Sequence, residues 1–84
     1  MKKTELKIPD APLVRGDRGM QVDNLQNILK YILKYKKDPE PSYFGIFTED
    51  KIKAIQERLG IKITGIYDHM TRTKLREVLH GNNH

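Results

Sequence analysis

The side chains able to do acid–base or metal chemistry in these 84 residues are few and scattered. Asp17, Glu49, Asp50 and Asp68 are carboxylates set close to glycine-bearing turns. A general acid and base need two titratable groups held against one substrate. Here each of the four stands where a helix is predicted to begin, so capping and dipole roles account for them. The remaining acids fall on charged helix faces or in loops, and nothing pairs them. His69 and His80 lie at opposite ends of one predicted helix, about 16 Å apart at the helical rise, too far to share a metal ion. No His-Glu-x-x-His occurs, and His80 with His84 is only a tail pair. There is no cysteine, so neither a thiolate zinc site nor a disulfide can form. Gly16, Gly45, Gly60 and Gly65 mark turns or helix ends, not a phosphate-binding loop. No catalytic residue, metal site or cofactor is expected.

The residues better suited to chemistry are aromatic and cationic, and the chemistry is binding. Tyr43, Phe44, Phe47 and Tyr67 gather around one predicted turn region, and Tyr31 and Tyr35 stand one helical turn apart. Phe44 and Phe47 read as core, although Phe47 is also carried as a candidate contact. Tyr43 and Tyr67 read as amphipathic surface residues, each offering a flat face and a polar hydroxyl. Sixteen Lys and Arg against eleven Asp and Glu give a net charge of +5. That favours an anionic partner such as nucleic acid, an acidic membrane surface or a wall polymer, and it also serves plain solubility.

The elements that must position these residues follow from periodicity. A chain of this length makes one small domain. Residues 1–12 contain Pro9 and Pro12 and are expected to be a flexible, extended arm. Val22, Leu25, Leu29 and Ile32 recur at helical spacing, which predicts a first helix from Met20 to Lys36 with Asp17 as its cap. Asp38-Pro39-Glu40-Pro41-Ser42 ends it. A second helix is predicted from Thr48, with Ile52, Ile55 and Leu59 on its apolar face and Gly60 as its stop. A third runs from Asp68 to about His80 with Thr71, Leu75, Val78 and Leu79 inward, followed by Gly81-Asn82-Asn83. Gly45-Ile46-Phe47-Thr48 and Gly65-Ile66-Tyr67-Asp68 repeat one phrase before the last two helices. Residues 61–67 are expected to pair with residues 43–46 as a minimal two-stranded ribbon. The fold class is mainly α: a three-helix bundle with a small β element, the domain spanning 13–80 and a tail 81–84.

Three ordered pieces of this pattern resemble one family. Val14, Gly16-Asp17-Arg18-Gly19, Val22 and Leu25-Gln26 form the first. Phe44-Gly45-Ile46-Phe47-Thr48, Ile52, Ile55 and Gln56 form the second. Gly60-Ile61, Gly65, Asp68, Thr71 and Leu75 form the third. Together they are similar to the peptidoglycan-binding domains appended to bacterial and phage cell-wall hydrolases. There are departures: Pro41-Ser42-Tyr43 stands where the family has Asp-Gly, Ile55 replaces an aromatic, and Lys51 replaces a small residue. The first of these alters the loop beside the family's ligand groove.

The resemblance implies a noncatalytic module that holds peptidoglycan or a muropeptide and targets a linked or partner hydrolase through local concentration. On that reading Tyr43, Phe47 and Tyr67 contact the ligand, Arg18 and Arg72 pair with its carboxylates, and Gln21 meets its amides. An assembly or protein-interaction module on the same fold is the alternative. A DNA-binding three-helix domain is a further one, resting on Arg72, Lys74 and Arg76, but a helix-turn-helix needs a turn about half as long as Gly60–Tyr67. Met1-Lys2-Lys3-Thr4 has the basic character of a secretory signal start, yet Glu5, Lys7 and Asp10 interrupt any apolar run. No signal peptide or membrane span is therefore expected in these residues. The cell wall or extracellular space is the expected location if the module belongs to a longer secreted or phage protein, and the cytoplasm is the site of synthesis otherwise.

Overall fold

The computed structural model describes residues 6–81. Three helices follow one another: α1 Met20–Leu33, α2 Ile46–Leu59 and α3 His69–His80. Their inner faces carry the spaced aliphatics. Val22, Leu25, Ile28 and Leu29 from α1, Ile52 and Ile55 from α2, and Leu75 and Leu79 from α3 are all essentially inaccessible. Phe44 and Tyr67, each just ahead of a helix, complete that core. Among the described residues no helix is long and apolar enough to cross a membrane.

Several boundaries differ from the sequence expectation, each for a local reason. α1 ends at Leu33 because Lys34 turns left-handed, with φ 57° and ψ 37°. That reversal brings Tyr35 back onto the core, which a straight helix running to Lys36 would carry away. Asp17 does not cap α1. Its carboxylate accepts from Val14 N–H at 2.8 Å and closes the Arg15-Gly16 turn. The α1 cap position is Gly19, whose φ of 120° is open to glycine and strained for other residues. α2 begins at Ile46, two residues before Thr48, whose hydroxyl is turned inward to a buried partner. Gly60 does stop α2, at φ 73°, with Ile61 N–H reaching back to Gln56 O at 3.1 Å. On α3, Thr71, Leu75 and Leu79 are buried, whereas Val78 is 50% exposed. It lies at the Thr71 edge of the inner stripe, about 60° round the helix from Leu75, the middle of that stripe.

The expected ribbon between residues 43–46 and 61–67 is replaced by two separate pairings with the stretch ahead of α1. Leu13 exchanges both backbone hydrogen bonds with Tyr67, each at 3.0 Å. Arg18 bridges antiparallel to Tyr43, flanked by Gly16 N–H to Phe44 O at 2.8 Å and Gly19 N–H to Ser42 O at 2.9 Å. The stretch 13–19 therefore runs between the two loops and satisfies the backbone of both. The arm ahead of it is extended, as the prolines require, but from Leu6 onward it is packed on the domain. Leu6 is 5% exposed and joins the core. The Pro9 carbonyl accepts from the Tyr67 hydroxyl at 2.7 Å and from Arg72 Nε at 3.2 Å. Asn82 and Asn83, expected to help end α3, lie outside the described residues.

The doubled phrase is present, but in a different register. Two buried glutamines reveal it. Gln26 Nε2 donates to Tyr43 O and Thr48 Oγ1 at 3.0 and 3.1 Å. Gln56 Nε2 donates to Ile66 O and Thr71 Oγ1 at 2.9 and 3.0 Å. Each glutamine thus ties its own helix to the following loop and to the first turn of the next helix. The equivalent residues are Phe44 with Tyr67, the cap positions Gly45 with Asp68, and Thr48 with Thr71. Residue type alone aligns Gly45 with Gly65 and Thr48 with Asp68.

Asp68 is a working cap. Its Oδ1 accepts from Thr71 N–H at 2.9 Å and from Thr71 Oγ1 at 2.7 Å. Burial alone would raise its pKa. The Thr71 side-chain and backbone bonds, with the Thr64 hydroxyl, outweigh burial and hold it below the ordinary 3.8. Since the folded value is the lower one, the stability this cap contributes is fully present above a pH of about 4. It is lost as pH falls through the depressed value. Asp68→Asn keeps an oxygen acceptor and removes the titration. The expected result is a smaller drop in urea midpoint between pH 7 and pH 3 for the variant than for the wild-type chain. Equal drops would contradict this account of Asp68.

Candidate functional site

The loop between α1 and α2 and the first turn of α2 enclose a cleft of ≈ 180 Å³. Its walls are Pro39, Glu40 and Tyr43 on the loop side and Ile46, Phe47 and Thr48 on the helix side, with Gly45 at the corner. A second, more open hollow of ≈ 380 Å³ lies across Pro39 and includes Asn27, Tyr35 and the Lys30–Asp38 ion pair.

The loop holds its shape through α1. Gln26 Nε2 donates to Glu40 O at 3.1 Å in addition to Tyr43 O, and its Oε1 accepts from Ser42 N–H at 3.3 Å. Ser42 is left-handed at φ 62°, a conformation that costs free energy in a non-glycine residue. Its hydroxyl donates to Asp23 Oδ2 at 2.7 Å. Glycine at position 45 lets the Tyr43 ring lie against the backbone. A Cβ there would stand 2.8 Å from Tyr43 Cε2.

Aromatic faces and cations alternate along this surface. The Arg18 guanidinium lies 4.1 Å from the centre of the Tyr43 ring and 3.6 Å from Glu40. Phe47 meets Tyr35 edge-to-face, with centroids 5.3 Å apart and planes at 80°. Lys51 Nζ sits 5.0 Å from both of those rings. Burial, and then the nearby Asp38 carboxylate, push the Tyr35 hydroxyl up to about 12. It is therefore a neutral donor at ordinary pH, directed to Gln26 O at 3.4 Å. Ile46 is 63% exposed at the edge of the cleft. The arrangement offers ring faces, the exposed cation of Arg18, the half-buried one of Lys51 and one aliphatic edge. A sugar ring or a short peptide with carboxylates matches those features.

The six residues predicted from sequence divide into two groups. Arg18, Tyr43 and Phe47 come together at this cleft. Gln21, Tyr67 and Arg72 gather instead around the N-terminal segment. Gln21 Oε1 accepts from Asp10 N–H at 3.2 Å, and Arg72 and Tyr67 share the Pro9 carbonyl. Tyr67, expected at the surface, is fully buried. It occupies the core position equivalent to Phe44, and its hydroxyl is satisfied inside by Pro9. Burial, foremost, drives its ionisation far above the usual tyrosine range, against the opposing pull of Arg72. Glu40 lines the cleft, and Tyr35 and Lys51 border it through their contacts with Phe47; none of the three carries a sequence expectation of contact. The i, i+4 spacing of Phe47 and Lys51 was a usable signal, whereas the return of Tyr35 depends on the left-handed turn at Lys34.

The two histidines remain at opposite ends of α3. Among the described residues no three His, Asp or Glu side chains converge as a metal site would require.

Comparison with known proteins places the chain. Its fold matches the crystal structure of the SleB N-terminal domain with a TM-score of 0.75 and 26% identity, covering 87% of this chain and 99% of that one. No curated protein matches it. A family model described as "Putative peptidoglycan binding domain" matches residues 18–75, the span holding all three helices' packed faces up to Leu75, both glutamine ties and the cleft. On that match, the chain belongs to the peptidoglycan-binding domain family, a family of binding modules associated with the cell wall.

Proposed function

We propose that the cleft beside Tyr43 and Phe47 is where this module contacts peptidoglycan, and that it tethers a linked or partner wall hydrolase to its insoluble substrate. The observation that carries the assignment is the convergence of two aromatic residues and two cations on one shallow cleft, with Arg18 stacked on Tyr43 and Lys51 above Phe47. A shallow site with a few such contacts binds weakly, and avidity or tethering then supplies the effective concentration. The altered Pro41-Ser42-Tyr43 segment, in place of the family's Asp-Gly, supplies one of those aromatics.

A nucleic-acid role has less support. Residues 60–68 separate α2 from α3, well beyond the three or four of a helix-turn-helix. Of the basic residues on α3, Arg72 bonds to Pro9 O and Lys74 pairs with Glu77 at 3.6 Å. The fold also suits a protein-assembly module, and the same experiment separates the two. Purified sacculi should retain the protein in a co-sedimentation assay at low and moderate salt. Phe47→Ala should weaken retention about two- to tenfold, since one stacked aromatic contact is worth about 0.5–1.5 kcal/mol. No retention at either salt would refute the wall contact and leave the assembly reading.

A further inference from the structure

We propose that Arg18 is the carboxylate receptor of this cleft and that Glu40 is its built-in competitor, so that the module selects wall polymer with free carboxylates over amidated wall. The inference rests on the reading of the cleft as the wall contact and names the chemical group it recognises.

Arg18 lies 4.1 Å over the Tyr43 ring. The ring covers one side of the guanidinium, and the side chain stays 67% exposed, so its planar donor set is open to a carboxylate, which an arginine can receive through two parallel bonds. Glu40 stands 3.6 Å away, close enough to pair by charge and too far for a hydrogen bond. The charge is thus matched while the donors of Arg18 stay available. Both side chains are open to water, at 67% for Arg18 and 62% for Glu40, and an exposed pair of this kind is weak.

Glu40 is also a wall of the cleft, so a carboxylate displacing it enters at the ligand site. Little else has to move. Gln26 holds the backbone carbonyls of Glu40 and Tyr43, and only the Glu40 side chain must swing aside. The nearby cations are differently engaged. Arg15 pairs with Glu49 at 3.6 Å, Lys30 pairs with Asp38, and Lys51 lies over Tyr35 and Phe47. Arg18 is the cation set on the Tyr43 side. Stem-peptide carboxylates are the ligand groups with the matching chemistry, and conversion to carboxamides removes the charge while keeping the shape.

The test is co-sedimentation with purified sacculi, untreated and after carbodiimide coupling of their carboxyl groups to ammonia. Amidation should weaken wild-type binding about fivefold or more, an effect of charge-assisted hydrogen bonding. Arg18→Lys keeps the charge and loses the flat, two-pronged donor set. It should bind untreated sacculi about as weakly as the wild-type chain binds amidated sacculi, and amidation should affect it little. Glu40→Gln should tighten binding to untreated sacculi about two- to fivefold, the scale of an exposed ion pair. Asp50→Asn, at an exposed position on α2, makes the same change in net charge and should not. Equal tightening by Glu40→Gln and Asp50→Asn would overturn the proposal, as would wild-type retention unchanged by amidation; both leave the wall-contact reading standing. Absence of wild-type retention on untreated sacculi would overturn that reading and this proposal with it.

Discussion

Replacing Gln56 with leucine is expected to destabilise the domain by about 3 kcal/mol, which for a domain of this size is a fall in melting temperature of about 12–24 °C. Leucine is close to glutamine in volume, so the packing term is small and the loss is polar. Gln56 is fully buried. Its Oε1 accepts from Thr64 N–H at 2.9 Å and Gly65 N–H at 3.0 Å. The two hydrogens on its Nε2 are shared among three acceptors in reach, Thr64 Oγ1, Ile66 O and Thr71 Oγ1. One of these groups keeps a second partner: Thr71 Oγ1 still donates to Asp68. The two amide donors lose the acceptor that serves them, and Gly65 lies in a buried part of the loop. An orphaned buried donor costs about 1–3 kcal/mol, and two of them set the estimate. Against a total stability of about 5–15 kcal/mol, that is a large share. Thermal and urea denaturation followed by circular dichroism provide the check. A Gln56→Leu variant within about 0.5 kcal/mol of wild type would show that the glutamine tie is not a main support of the fold.

This reliance on Gln56 explains what was legible in the sequence. Helices could be read because the 3.6-residue spacing of Val22, Leu25, Leu29 or of Ile52, Ile55, Leu59 depends on neighbours along the chain. Gly60 and Asp68 could be read for the same reason, since each satisfies backbone groups of its own helix end. Thr48 could not. Cap logic placed it at the start of α2, but its hydroxyl answers Gln26, 22 residues earlier. With that partner hidden, the phrase at Gly45 was aligned with the phrase at Gly65 by residue type. The structural repeat instead aligns Phe44 with Tyr67.

The same register places Tyr67 at the surface by residue type, whereas it is buried. A tyrosine normally keeps its hydroxyl in water, and nothing local reveals that the Pro9 carbonyl, 58 residues away in sequence, replaces it. The arm that carries Pro9 is polar and proline-bearing, the usual marks of a segment lying outside a domain. Leu6 and Pro9 bind it to the core, and Leu13 joins it to the last loop. Residues 6–17 therefore belong to the folded unit even though the family match begins at residue 18. Arg18, Tyr43 and Phe47 lie together beside the cleft because the motif positions they flank are brought together there, and the place of Tyr35 is decided by the left-handed Lys34.

Gln26→Leu is expected to weaken retention on sacculi about tenfold while leaving the domain folded at 25 °C, with a smaller loss of stability than at Gln56. The two glutamines do the same kind of work on different loops. Around Gln26 the backbone has more alternatives: Glu40 O still receives Tyr43 N–H at 3.4 Å, and Tyr43 O still receives Gly45 N–H at 3.1 Å. Gln26 is itself 7% exposed, so water can reach part of what it leaves behind. The stability cost is accordingly about 1–2 kcal/mol. The same free energy acts differently on the cleft. Glu40, Ser42 and Tyr43 are all held to α1 by this side chain, and Asp23 adds a second hold on the left-handed Ser42. A loop left favouring its open form by about 1.4 kcal/mol spends roughly a tenth of its time in the binding geometry, and apparent affinity falls by that fraction. Sacculus co-sedimentation measures the affinity, and amide hydrogen exchange at Ser42 and Gly45 reports the release of the loop. Faster exchange at those amides with unchanged retention would mean that the wall polymer does not contact the Tyr43 side of the cleft. Slow exchange and unchanged retention together would mean that Asp23 and the backbone pairing with Gly16 and Gly19 hold the loop without Gln26.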